Sequence, residues 1–175
     1  SGALLVGQGG AVAPPASPTT AVTKETVPGV TNFVRLQTTI ACAGATTAAA
    51  VPELKKMGYA SVINLRQASE PGADIEGETA AAKAVGLTFL HLPFNAAAPD
   101  PAVVDQFLKA ITDKKNEPAF VHCASGNRAA AFWMIKRMAV DRWDADRAAN
   151  EAAALGLTNP ALKAFAIDYV KSHPR

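Results

Sequence analysis

Short apolar runs separated by polar turns predict several strands between residues 30 and 122. They occupy five segments, at residues 30–37, 38–44, 59–65, 87–94 and 118–122. The first two are adjacent and predict a hairpin. The last three are separated by stretches with helical spacing, which favours right-handed crossovers between parallel strands.

Apolar positions with a helical period lie between and after these strands. In the third helix Val104, Phe107, Leu108 and Ile111 recur at that spacing, and Asp100-Pro101 has the form of an N-cap followed by proline at the first helical position. The predicted helices cover residues 47–58, 75–86, 101–112, 128–140, 144–156 and 160–172. The sequence therefore predicts an α/β fold with a mostly parallel central sheet flanked by helices.

Composition and charge narrow the class of protein. The chain has 175 residues, 18% of them charged, and a formal net charge of +2. Lysine and arginine are scattered, which argues against nucleic acid as a partner, and no apolar run is long enough to span a membrane. We expect one folded domain over residues 30–175.

The first 29 residues differ from the rest in composition. Residues 11–29 are rich in Ala, Pro, Thr and Val without a period, which is typical of a linker or an arm. Residues 3–13 are mildly apolar and end in an A-x-A pattern, as does the tail of a secretory signal. Pro14 argues against cleavage there, so export to the periplasm or medium is only slightly favoured over a cytoplasmic location.

The stretch FVHCASGNRAAA at residues 120–131 carries the candidate chemistry. It takes a strand end into Cys123, then a turn of small residues, then Arg128 at a helix start. Sites in parallel sheets form at the carboxyl ends of strands. Successive backbone N–H groups in such a turn, together with the helix dipole, favour a bound anion and a lowered thiol pKa. The turn residues concerned are Ala124, Ser125, Gly126 and Asn127.

Arg128 adds a planar fork that can hold two oxygens of one anion. A thiolate beneath a bound oxyanion suits attack on phosphorus or on sulfane sulfur. The motif thus predicts a nucleophilic cysteine site for phosphate, sulfate or a related group.

The segment HCASGNR resembles the active loop of cysteine-dependent phosphatases, HCxxGxxR. Its spacing is one residue shorter, as in the rhodanese loop CxxGxR, but the rhodanese segment resembling GHIPGA is missing. The order of GYASVINLR, GLTFLHLPFN, the cysteine loop and AANEAAALGL resembles the dual-specificity phosphatase fold. Over residues 30–157 it is most similar to the bacterial beta-lactamase-hydrolase-like phosphatase family.

This resemblance implies roles for individual residues. Cys123 would form a phosphocysteine, Arg128 and the amides of residues 124–127 would bind the phosphate, and His122 would support the thiolate and the loop. The substrate would be a protein phosphotyrosine or a small phosphorylated molecule. Such enzymes need no metal or cofactor, and the three histidines have no metal-binding spacing.

Three departures from the family pattern leave alternatives open. Asn95 stands where phosphatases of this fold carry an aspartate general acid, so Asp100 becomes the candidate, in competition with its role as an N-cap. Ala129 replaces the usual Ser or Thr after the arginine, which predicts slow turnover. Together with the short loop, these changes leave two alternative functions: sulfur transfer through a Cys123 persulfide, or binding of a phosphorylated ligand with low activity.

Residues near the predicted site have weaker expectations. The acids Glu70, Asp74, Glu76 and Glu78 are expected in a solvated loop and helix start, with a rim loop near the site as the alternative. Arg66 is a candidate for an ion pair that braces the site. Cys42 is expected to be a buried apolar residue, with a redox link to Cys123 as the alternative. The sequence predicts no oligomeric state.

Overall fold

The computed structural model describes residues 21–175, and within them six strands form one sheet. The order is β1-β2-β3-β6-β4-β5; β2 is antiparallel to both β1 and β3, and β3, β6, β4 and β5 are parallel. The bounds are β1 Val22–Lys24, β2 Val34–Leu36, β3 Ile40–Ala43, β4 Ser61–Asn64, β5 Thr88–His91 and β6 Ala119–His122. The predicted α/β class with a mostly parallel sheet is confirmed.

Helices cover both faces of this sheet. The α-helices are α1 Val51–Lys56, α2 Ile75–Ala84, α3 Pro101–Thr112, α4 Asn127–Ala139, α5 Ala145–Ala154 and α6 Pro160–Ser172. Strand residues alternate between the two faces. In β6, Phe120 packs with α1 and α2, whereas Val121 and then Cys123 pack with the helices of the other layer.

Helix α4 lies at the centre of the layer that α3, α4, α5 and α6 form on one face of the sheet. Nine of its residues are buried, and its closest neighbours are α5 and α6. A helix that is apolar on nearly every side belongs inside the protein. Its N-terminus is therefore fixed by packing, immediately after the cysteine loop.

Polar caps define the starts of the other long helices. Asp74, Asp100, Asp144 and Asn159 are the N-caps of α2, α3, α5 and α6, and each side chain accepts a backbone N–H of the first turn. Pro101 and Pro160 follow two of these caps at the first helical position. The cap predicted at Asp100 is confirmed.

Several element bounds differ from the prediction. The helix expected over residues 47–58 is a 3-10 turn, Ala48–Ala50, followed by α1. The strand expected over 87–94 is shorter, although its continuation still donates N–H groups of Leu92 and Phe94 to carbonyls of the β4 end.

The structure describes only part of the predicted N-terminal arm. Residues 1–20 of the segment predicted as an arm, including the A-x-A pattern, lie outside the described residues. The remainder includes β1, which pairs with β2 through Val22 and Leu36, so part of this segment is an edge strand of the sheet. None of the helices over residues 21–175 is both long and apolar enough to cross a membrane.

Candidate active site

The loop between β6 and α4 positions Cys123. Strand β6 ends at His122, Cys123 follows, and α4 begins at Asn127 with Gly126 as its N-cap. Gly126 has φ 101°, a left-handed conformation that glycine adopts without steric cost. This backbone turn brings the Gly126 N–H to 3.1 Å from Cys123 Sγ, as a hydrogen-bond donor.

The loop carbonyls bond to neighbouring segments. Ala124 O accepts the Ala45 N–H at 2.9 Å, and Ser125 O accepts Asn32 Nδ2 at 3.1 Å. In a trans peptide the N–H points opposite to the carbonyl. The N–H groups of Ser125 and Gly126 are thereby directed away from these partners, and the Gly126 N–H indeed faces Cys123 Sγ.

Gly44 allows the close approach of β3 to this loop. A Cβ at Gly44 would lie 2.8 Å from Ala124 O and 3.2 Å from Ser125 Cα. The end of β3 therefore packs directly against the cysteine loop. Cys123 is 1% exposed, at the bottom of the loop.

Arg128, in the first turn of α4, is held by a carboxylate. Its Nη1 donates to Glu70 Oε2 at 2.8 Å and its Nη2 donates to Glu70 Oε1 at 2.6 Å. Nη1 also reaches the carbonyls of Leu65 at 3.3 Å and Phe94 at 3.0 Å, at the ends of two neighbouring strands. No hydrogen bond within residues 21–175 uses Arg128 Nε, which leaves that edge of the guanidinium for a ligand.

The ion pair between Glu70 and Arg128 shifts the pKa of each group so that its charged form is favoured. The hydrogen bond from Arg128 lowers the pKa of Glu70, against the opposing effect of burial, with help from the Gln67 N–H. The bond to Glu70 raises the pKa of Arg128, and the negative charge of Cys123 raises it further. The site therefore keeps a fixed guanidinium beside the nucleophile.

Glu70 is a residue of the candidate site that the sequence did not single out. The sequence favours a solvated loop here, but the Glu70 side chain is only 19% exposed and forms an ion pair with Arg128. Arg66 lies beside it, with Nε 3.6 Å from Glu70 Oε1, in agreement with the predicted ion pair bracing the site. The Arg-x3-Glu spacing after the end of β4 was the signal available in the sequence.

His122 does not have the contacts we expected. It is wholly buried on the sheet face opposite Cys123, and its Nε2 lies 2.6 Å from Glu78 Oε1 of α2. Its Nδ1 finds no partner among the described residues. Because strand residues alternate between faces, the His122 ring is directed to α2 rather than to the cysteine loop. His122 thus anchors the strand end through Glu78 and does not hydrogen-bond the Cys123 thiol.

Glu78 completes this buried group. Its second oxygen accepts the side-chain amide of Asn64, and Asn64 Oδ1 in turn accepts the Arg66 N–H at 2.8 Å. Asn64 and His122 are register partners on adjacent strands. The network joins α2 to the carboxyl ends of both strands that border the site. Our expectation that Glu78 is solvated was wrong.

Asn127 connects the cysteine loop to the helical layer. Its Oδ1 accepts the N–H groups of Thr158 at 2.7 Å and Asn159 at 2.8 Å, before α6. Its Nδ2 donates to Ser125 Oγ at 3.2 Å. The side chain therefore ties the cysteine loop to the start of α6.

The candidate general acid is an exposed helix cap. Asp100 Oδ1 accepts the Ala102 N–H at 2.9 Å. Asn95 Oδ1 accepts the Ala97 N–H at 2.9 Å within the preceding turn. The segment that leads from Phe94 to Asp100 begins at the site, because the Phe94 carbonyl accepts a hydrogen bond from Arg128. A catalytic role of Asp100 stays a prediction.

Both cysteines are free thiols. Cys42 lies in the core on β3, and burial raises the pKa of its thiol, with further increases from the negative charges of Cys123 and Glu151. It therefore remains neutral, in keeping with the expected buried apolar role.

The fold and the cysteine loop define a cysteine-phosphatase-like protein, and comparison with known proteins agrees. The family model for the phosphatase-like domain of beta-lactamase hydrolase-like protein matches residues 32–140, and the chain belongs to this family. The family resemblance and the enzyme class predicted from the sequence, a hydrolase of phosphate monoesters, are confirmed. No curated protein sequence matches the chain significantly.

Solved structures support the fold. A DUF442 protein of Shewanella putrefaciens CN-32 is 20% identical with a TM-score of 0.71, over 85% of this chain and 97% of that one. TpbA of P. aeruginosa is 24% identical with a TM-score of 0.65, over 90% and 92%. The catalytic domain of the PP-IP phosphatase SIW14 of S. cerevisiae, in complex with citrate, is 15% identical with a TM-score of 0.66, over 82% and 88%.

Proposed function

We propose that the protein hydrolyses phosphate monoesters through a phosphocysteine on Cys123. The observation that carries the proposal is the arrangement of three groups. Cys123 Sγ accepts the Gly126 N–H, and Arg128 is held beside it by Glu70 with its Nε edge unused. Such a site offers a nucleophile, a backbone donor and a guanidinium to one tetrahedral anion.

The reaction has two steps. The Cys123 thiolate attacks phosphorus, the bond to the ester oxygen breaks, and the leaving oxygen takes a proton from an acid. Water then attacks the phosphocysteine, loses a proton to a base and releases phosphate and the thiolate. Arg128 binds non-bridging oxygens throughout, where charge develops in the transition state.

Asp100 is the proposed acid and base for both steps. It is the carboxylate of the segment that starts at Phe94, whose carbonyl contacts Arg128. A general acid matters most for alkyl esters, because an aryl leaving group departs without full protonation. The proposal therefore predicts faster turnover of aryl than of alkyl phosphates.

The ligand is a phosphorylated molecule, with phosphate or sulfate as small oxyanions that occupy the same loop. A TpbA structure contains phosphotyrosine, and the SIW14 structure contains citrate, so proteins of this fold accept both kinds of anion. Protein phosphotyrosine and small phosphate monoesters are the two substrate classes for this chain.

Sulfur transfer is the second candidate because only four residues separate Cys123 from Arg128. In that reaction the Cys123 thiolate attacks the outer sulfur of thiosulfate, sulfite leaves, and a persulfide remains for an acceptor such as cyanide. The absence of a hydroxyl residue after Arg128, where Ala129 stands, also fits a site not optimised for phosphate release. The same features also fit a third candidate function, a protein that binds phosphorylated ligands and turns them over slowly.

One experiment separates these functions. We would measure turnover of an aryl phosphate and of thiosulfate with cyanide, using wild type, Cys123→Ser and Arg128→Ala. Cys42→Ala serves as the control that removes the other thiol. The proposal expects aryl phosphate hydrolysis that both site variants lose and the control retains. Turnover of thiosulfate alone would support the sulfurtransferase instead, and phosphate binding without turnover would support the binder.

A further inference from the structure

A groove on the surface adjoins the cysteine loop. Its volume is about 660 Å³, and Ser125 and Asn127 of the loop form part of its wall. Thr158, whose N–H donates to the side chain of Asn127, continues this wall toward α6. Neither Arg128 nor Glu70 lines the groove. The groove is therefore distinct from that ion pair, and it begins at the rim of the loop that holds the nucleophile.

Strand pairing places Lys24 at the far end of this groove. Lys24 is the register partner of Val34, which is paired in turn with Cys42. Cys42 is paired with Val121 of β6, two residues before Cys123. Neighbouring strands lie about 4.8 Å apart, so the three spacings put Lys24 about 14 Å from β6 across the sheet.

The Lys24 side chain lies on the face of the sheet that α5 and α6 cover. Register partners direct their side chains to the same face, and Val34 and Cys42 both belong to the core beneath those helices. In agreement, Lys24 lines the groove together with Leu155 and Gly156 at the end of α5. Lys24 is exposed, and in the described part of the chain no hydrogen bond or ion pair uses its ammonium group.

The other polar groups near Lys24 already have partners. Glu25, the acid in the groove wall, accepts two hydrogen bonds from Arg35 Nη2, at 2.7 and 2.8 Å. At the end of α5 two carbonyls accept the backbone N–H groups of Gly156 and Leu157, a cap that needs no lysine. Among the described residues, the wall therefore carries one uncompensated positive charge, on Lys24.

The length and lining of the groove favour a polypeptide over a small molecule. An extended chain rises about 3.3 Å per residue, so about four residues cover the distance from β6 to Lys24. The wall mixes apolar and polar side chains, among them Val30, Leu155, Thr26 and Asn32. Such a surface offers apolar contacts to the side chains of a peptide and hydrogen bonds to its backbone.

The depth of the nucleophile favours phosphotyrosine within such a peptide. Cys123 is 1% exposed, whereas Ser125 at the rim is exposed. The aromatic ring of phosphotyrosine holds the phosphate far from the backbone, so the phosphate can reach the thiol while the backbone stays at the rim. In phosphoserine and phosphothreonine the phosphate lies close to the backbone.

We propose that this groove binds the polypeptide on one side of a phosphotyrosine, with Lys24 paired to an acidic side chain of that polypeptide. The inference rests on the proposed function, because the phosphate of the same residue lies in the cysteine loop under Arg128. The acidic side chain belongs about three or four residues from the phosphotyrosine. The substrate is then a phosphoprotein with acidic residues near its phosphotyrosine.

The test compares two phosphotyrosine peptides that differ only in charge. One has glutamate at the third and fourth positions on both sides of the phosphotyrosine, and the other has glutamine there. We would measure kcat/KM from phosphate release with wild type, Lys24→Gln and Lys24→Glu. Lys56→Gln is the matched control, because Lys56 is exposed at the end of α1, near the amino end of β4 and away from the site. The readout is the ratio of the two kcat/KM values, in which an effect on both peptides cancels.

We expect wild type to prefer the acidic peptide about threefold, as for an exposed ion pair. The preference should disappear in Lys24→Gln, reverse in Lys24→Glu and persist in Lys56→Gln. A wild-type ratio near one would overturn the assignment, as would equal ratios in Lys24→Gln and Lys56→Gln.

A second variant tests the groove without changing its charge. Thr26→Trp adds bulk to the wall at an exposed position. We expect kcat/KM for the acidic peptide to fall about fivefold or more relative to that for a small aryl phosphate, because the peptide loses part of its binding surface. An unchanged relative rate would show that the groove holds something other than the substrate.

The failure of this inference and the failure of the catalytic proposal are distinguishable. If wild type hydrolyses an aryl phosphate and both peptides with equal kcat/KM, only the groove assignment is wrong. If it hydrolyses the aryl phosphate but neither peptide, the substrate is a small phosphate monoester and the groove assignment is again wrong. If it hydrolyses no phosphate ester, the catalytic proposal fails and this inference fails with it.

Discussion

Glu70 and Arg128 form a two-point ion pair at the rim of the cysteine loop. The two bonds, 2.6 and 2.8 Å long, use both carboxylate oxygens and both terminal nitrogens of the guanidinium. The planar fork is thereby held in one orientation, with its Nε edge free for a ligand. An arginine fixed in advance loses less conformational entropy when an anion binds.

The first prediction concerns this orientation. Glu70→Gln keeps the size of the side chain but removes its charge and one acceptor. We expect kcat/KM for an aryl phosphate to fall about tenfold or more, because a charge-assisted bond that positions Arg128 is lost. Glu76→Gln, on an exposed position of α2, is the control. Equal activity in both variants would show that Arg128 needs no help from Glu70.

The same pair makes stability depend on pH. The pKa of Glu70 is lowered in the folded protein, chiefly by Arg128, so its contribution is fully present above the ordinary glutamate pKa of about 4.3. The contribution is lost as the pH falls through the lower, folded-state pKa. We expect wild type to exceed Glu70→Gln in Tm near neutral pH and the gap to close on acidification. A gap that widens with acid would contradict this assignment.

Another prediction tests the buried pair beneath the site. Glu78 and His122 are 2% and 1% exposed, and Glu78 bridges α2 to the ends of β4 and β6. Glu78→Ala leaves His122 and Asn64 without their acceptor. We expect the free energy of unfolding to fall by about 3 kcal/mol or more, measured by urea denaturation. Glu76→Ala, on the exposed side of the same helix, should change it by less than about 0.5 kcal/mol.

The proposed catalytic role of Asp100 can be tested separately from its role as the N-cap of α3. Asparagine caps helices as well as aspartate does, so Asp100→Asn should leave Tm unchanged. If the carboxyl is the general acid, kcat for an alkyl phosphate should fall about a hundredfold, with a much smaller loss for an activated aryl phosphate. Unchanged kcat for both substrates would restrict Asp100 to capping α3.

The sequence predicted the parts of the structure that depend on local patterns. Apolar runs and helical spacing identify the parallel strands and their helices, and the glycine turn between β6 and α4 follows from residues 120–131. Cys123 and Arg128 are found together because their spacing along the chain brings them to one loop. Asp100 and Asn159 cap their helices as their position before proline predicts.

The partners of these residues could not be predicted in the same way. Glu70 reaches Arg128 across 58 positions of sequence, and the path of the loop after β4 decides whether it does. Glu78 is buried because α2 turns that side toward His122, a rotation that the weak apolar pattern of IEGETAAAKA does not specify. Long-range polar contacts of this kind depend on tertiary packing rather than on local propensity.

The most direct test of the central claim is to trap the covalent intermediate. An aryl phosphate is mixed with the protein, the reaction is quenched in acid, and peptides are analysed by mass spectrometry. Arg128→Ala and Cys123→Ser are run beside wild type. The account predicts a phosphoryl group on Cys123 in wild type, much less in Arg128→Ala and none in Cys123→Ser. Hydrolysis of the aryl phosphate that continues in Cys123→Ser, with no adduct in wild type, would contradict it.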